Sequence, residues 1–434
     1  MPQSFLDLNR NLLFFDGAMG TMLQKQQVLQ PGEAPEILNL THPDIVAEVH
    51  RQYLAAGAQC IETNTFGASR IKLSAEGLES KAAELNTAAV KIAKSVVQEN
   101  QLVAASIGPT GRMIEPLGDL TFEDAYIAFL EQVQLCAAAG ADLISIETMS
   151  DIQEAKAAVQ ASLTVGLPVI ASVSFMENGR LLTGFTPEMV AATLSGYPLL
   201  ALGTNCGLPA VSLQPIIQKM AAYTKIPLIV QPNAGKPFVE NGTTVYQESA
   251  AEFGAACMEL IRSGARVIGG CCGTSPEHIR ELRQRSAALL YQVSSNQSQD
   301  YLVSKSMLIP AQLEHQPSEV YLLELDAYSE LWNQFISGSE DSLIDLIFEI
   351  DSQSVQVIRI QANELDAQYR ESFRSLVQVL ATYWPNLVKA ELTDPDLIQI
   401  FLSHIPGRAM VCGESDPRLI ARTERYGGVY QVIR

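Results

Sequence analysis

The chain reads as an α/β protein: a closed (β/α)8 TIM barrel followed by a smaller α/β domain resembling half a barrel. Three observations predict this. Short apolar, β-branched runs alternate with longer amphipathic stretches from residue 12 to residue 290, the rhythm of strands joined by helical crossovers in a parallel sheet. Eight such units fill that length, which a closed barrel accommodates more economically than an open doubly wound sheet. After a break the rhythm resumes, but only over residues 319–434, too short for a second complete barrel.

In chain order, the strand-like runs are 12–16, 59–63, 102–107, 142–147, 168–174, 199–205, 227–231 and 266–270. Between them, 43–56, 80–98, 122–139, 152–165 and 249–263 carry apolar residues at helical spacing. Gly57, Gly140, Gly166 and Gly264 follow the apolar pattern closely and read as helix stops. Residues 291–318 are rich in Ser and Gln without a clear period, and read as a linker between a domain at 1–290 and one at 319–434. The second domain should place strands at 320–325, 355–360, 387–391, 409–411 and 429–433, and helices at 339–350, 367–383, 394–404 and 417–426.

Composition limits the function. Of 434 residues, 47% are hydrophobic, enough for a large core. Lys and Arg number 29 against 48 Asp and Glu, a formal charge of −19, which disfavours a nucleic-acid or anionic-membrane partner. The opening MPQSFLDLNRNLLFFDG lacks a basic segment followed by a long apolar one, and no apolar run has the length of a transmembrane helix. A cytoplasmic location is expected. The seven cysteines are odd in number and widely spread, so they do not form a disulfide framework.

Three of those cysteines carry the strongest chemical signal. Cys206 lies in Gly203-Thr204-Asn205-Cys206-Gly207, past the sixth strand, and Cys271 and Cys272 lie in Gly269-Gly270-Cys271-Cys272-Gly273, past the eighth. In a barrel both segments reach the rim where active sites are built. Three thiolates there suit Zn2+ and leave one position open, as catalytic rather than structural zinc sites do. A substrate thiol entering that position would be deprotonated. The alternative reading, three small buried hydrophobes, fits Cys60, Cys136, Cys257 and Cys412 better, since these stand inside apolar patterns.

The segments Phe15-Asp16-Gly17-Ala18-Met19-Gly20-Thr21, Glu62-Thr63-Asn64-Thr65-Phe66, Ser106-Ile107-Gly108-Pro109, Ile146-Glu147-Thr148, Gly203–Gly207, Gln231-Pro232-Asn233-Ala234-Gly235 and Gly269–Thr274 together resemble the homocysteine S-methyltransferase family. That family includes the N-terminal homocysteine-binding module of cobalamin-dependent methionine synthase. The likeness runs over about residues 8–290 and implies a zinc barrel that methylates the thiol of homocysteine to give methionine. Within it, Glu147 is placed to accept the substrate ammonium, and the backbone of Asp16, Gly17, Ala18 and Met19 to cradle its carboxylate, with Asp16 holding the turn or meeting the ammonium. Asn64, Asn205 and Asn233 either tie loops or touch substrate or metal; the likeness favours Asn233 near the zinc.

The tail, through Val355–Gln361, Asn386–Asp396 and Ile405–Val411, resembles the first half of a pterin-binding barrel. It departs from that pattern at Arg359, Gln361, Glu391 or Leu392, and Met410-Val411-Cys412, so docking of partners or pairing with a second copy is a better expectation than folate binding. Two donor classes stay open. In one, methylcobalamin or methyltetrahydrofolate is carried by a separate corrinoid or folate-binding subunit, making this the homocysteine-activating part of a split methionine synthase. In the other, a free sulfonium or betaine is the donor. A reading of another class is a non-catalytic zinc- and homocysteine-binding or assembly protein.

Overall fold

The structure, a computed structural model, describes residues 7–8, 11–29, 32–240, 243–287, 299–313, 316–326, 328–362 and 365–433. The chain divides into two compact units: residues 1–187 with 198–297, and 188–197 with 298–434.

The first unit is the barrel. Strands β1 (Leu13–Phe14), β2 (Cys60–Glu62), β3 (Leu102–Ile107), β4 (Leu143–Met149), β5 (Val169–Val173), β6 (Ala201–Pro209) and β7 (Leu228–Asn233) precede a small hairpin, β8 (Pro237–Glu240) and β9 (Thr243–Tyr246). Strand β10 (Ala265–Ile268) completes the set. The eight-stranded parallel sheet has the order β1-β10-β7-β6-β5-β4-β3-β2. Its two edges meet through a parallel bridge between Phe15 and Cys60, where Asp16 N–H donates to Cys60 O at 3.0 Å and Gln59 N–H donates to Phe14 O at 2.8 Å.

Local chemistry sets the helix ends. Helix Phe122–Ala139 starts at Thr121, whose hydroxyl accepts the Asp124 amide, and stops at Gly140 in the left-handed conformation (φ 104°). Helix Ala250–Arg262 starts with a reciprocal Ser249–Glu252 capping box. Among the described residues no helix is long and apolar enough to cross a membrane.

The strands' period of two sorts the barrel interior into layers. Leu13, Phe15, Cys60, Leu102, Ala104, Leu143, Ile170, Ala201, Ile229 and Val267 pack into an apolar cluster. Two residues further along, the same strand faces turn polar at Glu62, Ser106, Ser145 and Gln231, and on β6 Asn205 follows four residues after Ala201. The barrel is therefore a packed plug with a polar upper end.

The second unit holds a five-stranded parallel sheet in sequence order, β13 (Val320–Glu324), β14 (Val357–Ala362), β15 (Leu387–Leu392), β16 (Met410–Gly413) and β17 (Val429–Val432). Before it runs an antiparallel hairpin, β11 (Tyr301–Val303) and β12 (Leu308–Pro310), inside the stretch that composition suggested was a linker. Its polar residues are interleaved with Leu302, Val303 and Ala311, which are buried, and that alternation escapes an average over composition. Residues 291–298 lie outside the described residues. A short helix, Glu330–Ile336, was not expected from the sequence; it buries Trp332 and Phe335.

One buried group makes acid stability testable. His50, in helix Pro43–Ala56, has both ring nitrogens buried without a hydrogen-bond partner. Burial pushes its imidazole from 6.5 down to about 3. Between those values the unfolded chain binds a proton that the folded chain refuses, so His50 costs stability as pH falls. Its contribution between pH 7 and pH 4 is of the order of 3 kcal/mol. Urea unfolding across that range should show a shallower acid slope in His50→Leu than in the wild type; equal slopes would refute the assignment.

Candidate active site

The C-terminal ends of β1, β2, β3, β4, β6 and β10 surround one cavity of about 450 Å3. Its lining includes Met19, Glu62, Glu147 and all three candidate cysteines.

The cysteines converge because both strand ends abandon regular extension. In β6 the register slips between Asn205 and Pro209, and Cys206 takes a left-handed conformation (φ 57°) that few non-glycine residues adopt. Past β10, Cys271 N–H donates to Pro232 O at 2.8 Å, and Ala234 N–H to Cys272 O at 3.0 Å. Cys206 Sγ and Cys272 Sγ are 3.6 Å apart, and all three sulfurs lie within 4.8 Å of one another, close enough to hold a metal ion. Hydrogen bonding from Cys206 and Cys271 pulls the Cys272 thiol far below its ordinary range. The same bonds push Cys271 up.

A residue that the sequence reading did not single out completes this corner. Tyr246, at the end of the β8–β9 hairpin, lies beside Cys272 and helps hold its thiol low. Its ring lies so close to Gly273 that a Cβ there would enter it, and Gly273 itself is left-handed (φ 82°). Only glycine satisfies both demands.

Facing the sulfurs are three carboxyl groups. Glu147 accepts hydrogen bonds from Ser106 Oγ at 2.5 Å and Asn205 Nδ2 at 3.1 Å. Asn205 is held in turn by Thr148, whose amide donates to its Oδ1 at 2.6 Å. Burial, then the charges of Glu62 and Cys272, raise Glu147 well above the usual carboxylate range. Glu62 accepts from Ser145 Oγ and Gln231 Nε2, each at 2.7 Å, and burial raises it too. Asp16 is raised by burial first and by Glu62 second. One Asp16 oxygen accepts Glu62 N–H at 3.0 Å; the other is buried with no partner. One oxygen of Asp16 thus fastens β2, and the other is a buried acceptor left over.

Other expected contacts fall differently. The Ala18 amide, expected in the carboxylate cradle, donates instead to Thr274 Oγ1 at 3.1 Å. The next amides, of Met19, Gly20 and Thr21, open helix Met19–Lys25 and have no acceptor within it. Asn64 Nδ2 is committed to Pro35 O at 2.8 Å and Asn39 Oδ1 at 3.1 Å, the loop-tying option. Asn233, adjacent to the Ala234 amide that holds Cys272, has a buried Oδ1 without a partner. Gly17 lies against Thr274 and Tyr53, with no space for a side chain.

Residues 13–286 match the family model described as homocysteine S-methyltransferase. The chain belongs to the homocysteine S-methyltransferase family. It is similar to the homocysteine methyltransferase MmuM from Escherichia coli in its metallated form, with a TM-score of 0.56 and 26% identity over 66% of this chain and 100% of that one. The oxidized form gives a TM-score of 0.56 and 27% identity, and the apo form 0.53 and 28%, with the same coverage. The family match ends before residues 298–434. Within the family's barrel, Glu62 and Tyr246 are the two residues that the structure adds to the sequence reading.

The Gly273 corner yields a prediction. Gly273→Ala should destabilise the protein by about 1–3 kcal/mol, because it adds both backbone strain and a clash with Tyr246. Tyr246→Ala in the same chain should recover the clash part and leave the strain. Strict additivity of the two variants in urea unfolding would show that the ring contact carries no energy.

Proposed function

We propose that this enzyme is a zinc-dependent methyltransferase that moves a methyl group from a small cationic donor to the thiol of homocysteine, giving methionine. The observation carrying the reading is that one cavity holds three convergent thiols opposite a carboxyl cluster, matching the thiol and ammonium ends of one amino acid.

The donor set fits zinc. Four tetrahedral ligands about 2.3 Å from one ion stand roughly 3.8 Å apart, close to the 3.6 Å separating Cys206 and Cys272. Cys206, Cys271 and Cys272 would hold the ion, and the orphaned Asn233 Oδ1 is a neutral oxygen suited to the remaining position before substrate enters. Zinc there supplies a Lewis acid that keeps a substrate thiol ionised at neutral pH.

The protein's own groups do the orienting. Glu147 and the unpartnered oxygen of Asp16 receive the α-ammonium, and the Met19, Gly20 and Thr21 amides at a helix N-terminus receive the α-carboxylate. Ser106 and Asn205 fix the Glu147 carboxyl, so its direction is set before binding. With both ends of the backbone held, the side chain extends toward the cysteines. Its sulfur then takes the methyl carbon in line as the bond from carbon to the donor heteroatom breaks.

The donor reading rests on the outer end of the same cavity. There Glu33 and Glu76 outnumber Lys72, beside the partly exposed ring of Phe66, while Glu36 is buried and accepts the Gly67 amide. Carboxylates around an aromatic face favour a sulfonium or quaternary ammonium over an anionic folate.

Two experiments test this reading. Zinc content and methionine formation should both collapse in Cys206→Ala and Cys272→Ala, whereas Glu147→Gln should keep its zinc and raise KM for homocysteine roughly tenfold or more. Unchanged metal and turnover in the cysteine variants would overturn the zinc assignment. In a donor screen, turnover is expected with a sulfonium or betaine alone. Turnover only with a methylated corrinoid protein or methyltetrahydrofolate would instead make the chain the homocysteine-activating subunit of a split methionine synthase. Bound zinc without turnover on any donor would indicate a binding or assembly role.

A further inference from the structure

The two faces of the second unit's sheet differ sharply. One face, with Ile358, Ile360, Val388, Ala390 and Val411, packs into that unit's main core. On the other face the β11–β12 hairpin covers only the lower part, joining Leu302 and Ala311 to Val357, Leu387 and Met410. Above that patch the face carries charge. Arg359 on β14 stands in register with Lys389 on β15, and the next level up is Gln361, Glu391, Cys412 and Gln431. Arg359, Lys389, Cys412 and Gln431 border a cavity of about 600 Å3 whose apolar lining includes Val320, Val429 and Ile433.

Charge within this trough does not balance. Glu391 is taken by Arg359 at 2.6 Å, and Asp300 on the lining is taken by Arg408 at 2.9 Å. Lys389 is half-buried and forms no ion pair or hydrogen bond among the described residues; its neighbours are the Cys412 thiol, which burial keeps protonated, and the like-charged Arg359. Arg359 also keeps a buried Nε donor with no acceptor. A half-buried ammonium beside an under-used guanidinium is costly unless an acceptor arrives.

We propose that the second unit binds a small organic anion, its acidic head on Lys389 and Arg359 Nε and its apolar body along Val320, Val429 and Ile433, which the hairpin leaves partly exposed. The occupant has one acidic group, since a single cation in the trough lacks a countercharge. This site is independent of the methyl donor used in the barrel.

Isothermal titration of the full-length protein with octanoate, octyl phosphate and neutral octanol tests the proposal. Both acids share the octyl body, so their ranking reports whether the head is a carboxylate or a phosphate. At least one should bind saturably at one site, more tightly than octanol by about tenfold or more. Lys389→Met should remove that advantage, and Lys389→Arg should restore part of it, which separates a lost charge from a disturbed fold. Absence of saturable binding by either acid, octanol binding as tightly as both acids, or wild-type affinity in Lys389→Met would each overturn the proposal.

Discussion

The barrel mouth concentrates groups that cannot all be negative at once. Glu62 and Glu147 line a cavity that also receives Cys206, Cys271 and Cys272, and Asp16 is buried beside Glu62. Burial and mutual repulsion raise all three carboxyls, and the thiols compete with one another for a single deprotonated position. Such a mouth is complementary to positive charge. In the proposed mechanism a divalent ion satisfies the sulfurs and a substrate ammonium satisfies the acids. Recognition of homocysteine is then electrostatic at both ends of the amino acid.

The fold makes that concentration tolerable. Below the mouth the strands fill the barrel with an apolar cluster, which confines the carboxyl groups to its upper end. The acids themselves are held by hydroxyls and amides from neighbouring strands: Ser106 on β3, Ser145 on β4, Asn205 on β6 and Gln231 on β7. Ser106, Ser145 and Gln231 each sit two residues along their strand from a residue of the apolar floor, and Asn205 sits four from Ala201. Parallel strands in register thus deliver a carboxylate and its hydrogen-bond donors to one level without a loop to position them. The thiols need the opposite treatment, irregular backbone at Cys206 and Gly273, because adjacent residues on an extended strand would point apart.

Much of this was legible in the sequence because it depends on short-range pattern. Helices Pro43–Ala56 and Phe122–Ala139 end where the periodicity and the following glycine say they should. The cysteines were legible because a vicinal pair between glycines has few structural uses. What escaped depends on distant partners. Nothing near Ala18 announces that Thr274, 256 residues away, will take its amide. Glu62 reads as a polar strand end until Ser145 and Gln231 are seen to hold it inside the barrel. Tyr246 did have a signal: Asn241-Gly242 stands between two β-prone runs, the usual mark of a tight hairpin. That signal was local, but its importance was not, since the hairpin matters for placing a ring against Gly273.

Net charge misleads at both sites for the same reason. The formal −19 describes the surface as a whole, whereas a guest meets only the groups that line its cavity. In the barrel, local charge agrees in sign with the whole, but burial holds the carboxyls toward their neutral form. In the second unit it reverses, because Glu391 and Asp300 are already consumed by Arg359 and Arg408 and the surplus charge is Lys389. Long-range repulsion from an acidic protein would slow the approach of an anion, and added salt screens that repulsion. Contact with Lys389 is short-range and less screened, so the trough can hold an anion that the surface as a whole repels.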